Sequence, residues 1–245
     1  MNRGIYTAAT GMIGIQQWMD VATHNLANVS TTGFKRDGLL FRDAMERELA
    51  ANGGSGRMIG TIGSGSISRQ QFTDWQVGSL EVTGNPMDFA LEEPQAMFAV
   101  QVAPGNPPTI RFTRDGAFQI DSQGYLVTKH GHRVLDPNLN PISIPRGPVA
   151  AQSNGNLEVA GKVVGQLGVF SGSFTKQGQN LCSSVDATAK PTVLVRSGTI
   201  ERSNVNAIEA MVGLISASRS FELAQRQITH QDDLTQRLIQ TMNER

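Results

Sequence analysis

The chain has 245 residues, enough for one large domain or two smaller ones with a substantial buried core. Its 21 basic and 21 acidic residues cancel, so no net field draws it to nucleic acid or to an anionic membrane. Charged residues make up only 17% of the chain, against a usual value of about 25%. A surface this poor in charge, without a Pro-rich or disordered composition, implies cover by a protein partner.

The first predicted element is a helix over residues 3 to 28, about 39 Å long at 1.5 Å per residue. Ile5, Ala8, Met12, Ile15, Met19, Ala22 and Leu26 fall on it in steps of three and four. That 3.5-residue repeat keeps one stripe facing a partner helix. Between residues 1 and 33 only Arg3 and Asp20 carry full charge. An ordinary surface helix has a charged outer face, so more than one face of this helix is expected to be buried by neighbours. Thr7, Thr10, Gln16, Gln17 and Asp20 interrupt what would have to be a signal-peptide apolar core, and no apolar run reaches the roughly 18 residues that span a bilayer. The expectation is a chain without direct membrane insertion that does not leave the cytoplasm by a cleaved-signal route. Asn28 to Gly33 end the helix, since Asn and Gly tolerate the left-handed conformation of a C-cap.

From Phe34 to about Arg69 the sequence is charged and then Gly-rich, and reads as an extended or flexible connector with a short helix over 39 to 50. Asn52-Gly53-Gly54-Ser55-Gly56 and Gly63-Ser64-Gly65-Ser66 are linker signals. No Gly-Lys-Ser/Thr ending follows them, which a phosphate-binding loop requires.

Residues 79 to 200 carry the strand patterns. Phe89 to Leu91, Met97 to Val102, Ile110 to Phe112, Ala117 to Ile120 and Tyr125 to Val127 are apolar or alternating, with Asp115-Gly116 and Ser122-Gln123-Gly124 as turn punctuation. Further short strands fit Arg133 to Leu135, Pro141 to Ile144, Leu157 to Val159, Val163 to Val169 and Thr192 to Arg196. No helix of crossover length separates them, so the sheet is antiparallel. Ser203 and Asn204 offer an N-cap for a second long helix, from about Val205 to Met242. Its apolar seam, Ala207, Ala210, Leu214, Ala217, Phe221, Ala224 and Ile228, repeats the rhythm of the first.

The residues that could carry chemistry do not converge. His130 and His132 would share one face of a strand, but a zinc site needs three or four protein ligands and Asp136 is the only nearby carboxylate. Asp115 and Asp121 miss the calcium-loop spacing and suit hairpin turns. No Gly-x-Ser-x-Gly elbow occurs. Cys182, the single cysteine, excludes an internal disulfide and reads as a small apolar residue. No catalytic residue, metal site or cofactor is expected.

Four blocks in order carry a resemblance. Tyr6 to Met12 with Asn25-Leu26-Ala27-Asn28-Val29-Ser30-Thr31-Thr32-Gly33-Phe34-Lys35-Arg36 resembles the N-terminal signature of the flagellar basal-body rod and hook proteins. Gly84 to Leu91 is similar to that family's entry into its β-domain, and Phe112 to Phe118 to its hairpin. Ser203-Asn204-Val205-Asn206, Glu209-Ala210-Met211 and Arg219-Ser220-Phe221-Glu222 resemble its C-terminal signature. The resemblance implies a structural, non-enzymatic subunit, exported unfolded through the flagellar type III apparatus and polymerised with other rod and hook subunits.

The expected fold class is therefore α+β, with terminal helices pairing as a coiled-coil layer (1–33 with 203–245), a connector (34–78) and a β-rich outer domain (79–202). The assembly interface is expected at Ile5, Met12, Ile15, Met19, Asn25, Leu26, Asn28, Leu214, Phe221 and Ile228. Short length and the Arg219 to Glu222 wording lean toward the proximal-rod member, while the Tyr6 to Met12 block is equally typical of the distal-rod member. Glu92-Glu93-Pro94-Gln95-Ala96 departs from the family's Gly-rich hairpin entry, so the first hairpin is expected to differ. The alternatives are a hook-type component of the same export system, which is usually much longer, and a β-domain enzyme with helical arms, which would need convergent titratable groups.

Overall fold

The computed structural model describes residues 3–43, 46–50, 58–63, 66–102, 109–145, 147, 149–152, 155–190 and 194–243. They divide into two compact units. One holds 1–27, 37–74 and 206–245, and the other holds 28–36 and 75–205.

The first unit contains the two long helices, α1 (Arg3–Ala27) and α2 (Ala207–Asn243). Asn206 caps α2: its Oδ1 accepts from the amides of Ile208 at 3.1 Å and Glu209 at 3.4 Å, satisfying donors that the first turn leaves unpaired. The expected caps, Ser203 and Asn204, are used elsewhere. Ser203 accepts from Val205 N, and Asn204 Oδ1 accepts from Arg36 N at 2.7 Å.

The short helix expected over 39 to 50 is instead strand. β1 (Asp37–Asp43) pairs antiparallel with β4 (Ser66–Thr73), and β2 (Glu46–Ala50) with β3 (Met58–Gly63). Leu39-Leu40-Phe41 is a contiguous apolar run with no helical spacing, and a cross-strand partner decides such a segment more than local propensity does. The linker signals at Asn52 to Gly56 and at Ser64-Gly65 lie outside the described residues.

The second unit is antiparallel β-structure. In chain order its strands are β5 (Leu80–Val82), β6 (Phe89–Leu91), β7 (Ala96–Val102), β8 (Thr109–Thr113), β9 (Phe118–Ile120), β10 (Leu126–Thr128) and β11 (Arg133–Val134). They continue with β12 (Val149–Ala151), β13 (Asn156–Val159), β14 (Lys162–Gln166), β15 (Val169–Ser171), β16 (Thr175–Gly178), β17 (Leu181–Ser183), β18 (Thr188–Ala189), β19 (Val195–Ser197) and β20 (Thr199–Glu201). The main sheet runs β16-β17-β8-β7-β11-β10-β9, with β15 joining β7 to β18. Smaller pairings are β12-β13-β14, β19-β6 and β20-β5.

β7 organises this unit. Ala96, Phe98 and Val100 point into one core with Phe89, Phe118, Leu126, Leu157 and Val195. Met97 and Ala99 point into a second core with Phe112, Leu135 and Phe170. A strand with both faces buried needs a near-continuous apolar run, which Ala96-Met97-Phe98-Ala99-Val100 supplies. Phe98 and Phe118 meet edge-on at 5.2 Å between centroids, and Phe112 and Phe174 likewise at 5.2 Å. Two glycines are forced by contact. A Cβ on Gly116 would sit 1.8 Å from the Phe89 carbonyl oxygen, and Gly33 combines φ 67° with a Cβ position 2.5 Å from the Arg114 carbonyl carbon. The chain at Glu92 to Gln95, where the sequence departs from the resembled pattern, makes a turn from β6 into β7.

Candidate assembly interface

In the first unit α1 and α2 lie against each other and run antiparallel. Gly4 lies beside the Gln231 amide and Gly213 beside the Trp18 indole, so ascending numbers on one helix meet descending numbers on the other. Along α1, Ile5, Ala8, Met12, Ile15, Met19 and Leu26 are half-buried and Ala22 is buried. Along α2, Ala207, Ala210, Leu214, Ala217, Phe221, Ala224 and Ile228 are all half-buried. The opposite faces are bare: Tyr6 and Ile13 on α1, and Ile208, Met211, Val212, Ile215 and Leu223 on α2, are each more than half exposed. Beside the seam opens an apolar hole of about 440 Å³, walled by Gly11, Gly14 and Trp18 of α1, Phe41 of β1 and Gly213 and Ser220 of α2.

Two of the expected interface residues are engaged within the chain. Asn25 is 6% exposed. Its Nδ2 donates to the Asp37 carbonyl at 2.7 Å, and its Oδ1 accepts the Asp37 amide at 2.9 Å. This two-way bond ties α1 to β1. Asn28 is half-buried in the turn after α1, where its carbonyl accepts from Thr31 N at 3.1 Å and its Oδ1 from the Thr31 hydroxyl at 3.2 Å.

In the second unit, sequence reasoning missed a buried ionic cluster. Lys35 Nζ and Arg114 Nε each lie 2.5 Å from an oxygen of the Glu201 carboxylate, with all three side chains at most 2% exposed. Glu201 also accepts from Gly78 N at 2.8 Å, and Lys35 donates to the Gln76 carbonyl at 2.7 Å. The Arg114 guanidinium is completed by the carbonyls of Leu91, Glu93 and Ala96. Burial this deep is tolerated because the donors and acceptors close on one another. Phe34-Lys35-Arg36 and Phe112 to Phe118 contain two of the three members, but nothing in the letters marks those charges as buried.

The residues weighed for chemistry have local roles. Asp115 accepts from the Thr32 hydroxyl at 2.6 Å and from Ala117 N at 3.1 Å. Asp121 accepts from Gln123 N and Tyr125 N, both at 2.8 Å, and Asp136 from Asn138 N and Asn140 N. These are side chains closing turns on their own backbone. Cys182 is buried in the second core. His132 is buried with neither ring nitrogen hydrogen-bonded, and burial together with nearby His130 pushes its pKa below the ordinary histidine range. No group of three or more His, Cys, Asp or Glu side chains poised to hold a metal occurs among the described residues. No helix among them is long and apolar enough to cross a membrane.

Comparison with known proteins covers both units. Residues 5–35 match the family described as flagella basal body rod protein, 94–169 match the flagellar hook protein FlgE/F/G D1 domain, and 196–241 match the flagellar basal body rod FlgEFG protein C-terminal region. The flagellar basal-body rod protein FlgG of Buchnera aphidicola subsp. Schizaphis graminum is 31% identical, over 96% of this chain and 98% of its own. FlgG of Bacillus subtilis is 30% identical, over 98% of each. The flagellar basal-body rod protein FlgF of Mesorhizobium japonicum is 31% identical, over 91% of this chain and 90% of its own. The chain thus belongs to the FlgF/FlgG-type family of flagellar basal-body rod proteins, and is a structural subunit of the rod in the bacterial flagellar basal body, assembling there with other basal-body components.

Proposed function

We propose that the subunit polymerises through α1 and α2, which form a coiled-coil layer of the axial drive-shaft with the neighbouring rod and hook subunits. In this reading residues 1–33 with 203–245 are the assembly module, 34–78 the connector and 79–202 an outer β-rich domain. The interface runs through Ile5, Met12, Ile15, Met19, Leu26, Leu214, Phe221 and Ile228, with Asn25 and Asn28 setting the end of α1. One observation carries the reading: both helices hold a half-buried seam at a 3.5-residue repeat, while the outer faces of α1 and of α2 before Arg219 are poor in charge and carry exposed apolar side chains. The protein is non-enzymatic and without a cofactor, and the flagellar type III apparatus exports it unfolded and without a cleaved signal. The proximal part of the rod is the position favoured. The short chain and the Arg219-Ser220-Phe221-Glu222 wording support it, while the Tyr6 to Met12 block is equally typical of the distal-rod member.

Leu26→Asp tests the seam. It removes a half-buried apolar side chain and sets a carboxylate in its place, a loss of about 1–2 kcal/mol of burial with a desolvation cost added on assembly. A strain carrying only this variant should export a soluble protein with its β-structure intact and fail to swim. Normal swimming would exclude Leu26 from any subunit contact.

A further inference from the structure

The β-rich unit is closed by its own last segment. β19 is the strand that pairs β6 and β20 the strand that pairs β5, so residues 195–201 supply the ladder of both. Val195, 1% exposed, fills the first core, and Glu201 sets its carboxylate against Lys35 and Arg114. Arg202 passes so close to Gly78 that a Cβ there would stand 2.1 Å from its carbonyl oxygen. These contacts bridge long stretches of chain: Lys35 to Glu201 spans 166 residues, Arg36 to Asn204 168 and Glu92 to Arg196 104. The body of the unit is local by contrast. β7 pairs with β8, β9 with β10, β10 with β11, β12 with β13, β13 with β14 and β16 with β17, each with its neighbour in sequence.

We propose that residues 195–205 form a clasp that closes last in folding, over hairpins already made, with Glu201 as its lock. Closing a loop costs more entropy the longer it is, so local hairpins form ahead of contacts between distant residues. Charge enforces the same order. Lys35 and Arg114 are at most 2% exposed, and burying either cation without its carboxylate is costly. They stay in water until Glu201 arrives, and the entry segment around Lys35 settles with the exit segment in one step. A chain is made amino end first, and Glu201 lies in its last fifth. The unit therefore cannot lock before the chain is nearly complete. For a subunit exported unfolded, a late lock lengthens the interval in which it can be taken up. That consequence rests on the export reading above; the clasp itself does not.

The test is urea-jump folding and unfolding of the full chain in a Trp18→Phe background, where Trp75, packed against the second core, is the one remaining tryptophan. Interactions absent from the transition state change the unfolding rate and leave the folding rate alone. Glu201→Gln should unfold about a hundredfold faster than the background or more, and fold within about twofold of its rate. Val195→Ala is milder and carries the test where Glu201→Gln does not fold; it should show the same pattern, with unfolding about tenfold faster or more. Leu126→Ala, fully buried in the hairpin of β9 and β10, should instead slow folding about fivefold or more. Clasp variants that slow folding as much as they speed unfolding would overturn the proposal, and so would a Leu126→Ala variant that folds at the background rate. Export plays no part in this measurement, so its outcome is separate from the fate of the export reading.

Discussion

Glu201→Gln should be among the most damaging near-isosteric substitutions in the β-rich unit. The carboxylate faces two cations at 2.5 Å, and all three side chains are at most 2% exposed, so solvent screening offers little relief. Gln matches the shape but carries no charge, and its amide end presents donors where the site needs only acceptors. Removing one partner of a buried ion pair costs about 3–5 kcal/mol, because the remaining charge stays buried without compensation. For a unit of this size that corresponds to roughly a 10–15 °C drop in midpoint. The assay is thermal unfolding followed by β-sheet circular dichroism, with urea titration to check that the slope is unchanged and the transition remains two-state. Glu92→Gln is the control. Its pair with Arg196 is 34% and 59% exposed on its two sides, and the loss should stay below about 1 kcal/mol. A Glu201→Gln penalty no larger than that of Glu92→Gln would refute the account of the cluster as a buried electrostatic tie.

Two further outcomes follow from the same unit. His132 is held neutral when folded, with its pKa below the ordinary 6.5. The unfolded chain therefore takes up the proton first, and stability should fall as pH drops below about 6.5; His132→Gln should flatten that dependence when midpoints at pH 7.5 and 5.5 are compared. Gly116→Ala would place a methyl group 1.8 Å from the Phe89 carbonyl oxygen, so β6 has to move; a loss of about 3 kcal/mol or more in urea unfolding is expected, and a loss under about 1 kcal/mol would show that the strand yields freely.

The helices were legible in the sequence because a 3.5-residue repeat survives any tertiary context, and the bounds found, Arg3–Ala27 and Ala207–Asn243, fall within two residues of those expected. Buried strands such as β6 and β7 were legible for the same reason, as apolar runs of strand length. The hairpin of β16 and β17 was not. Its turn places Gln179 and Asn180 at φ 52° and 58°, where Asn-Gly would have been the readable signal, and Thr175-Lys176-Gln177 is polar on both faces. The short helix expected over 39 to 50 fails because pairing decides this segment: β1 and β2 each find an antiparallel partner further along the chain, which local charge and composition do not reveal. The bond between Asn25 and Asp37 and the Glu201 cluster are invisible for another reason. Each depends on what a side chain meets in space, and a sequence shows only what it could meet.

The chain passes between its two units four times, after Ala27, Arg36, Asp74 and Val205. On the β-rich side these crossings are laced together. Gly33 N donates to the Glu201 carbonyl, Arg36 N to Asn204 Oδ1, Asn204 Nδ2 and Lys35 Nζ to the Gln76 carbonyl, and Arg202 N to the Ser79 carbonyl. Within the β-rich unit the segments 33–36, 76–79 and 201–204 are therefore bound to one another in parallel, and none of them can be drawn out of place without breaking several hydrogen bonds at once, including those of a buried carboxylate.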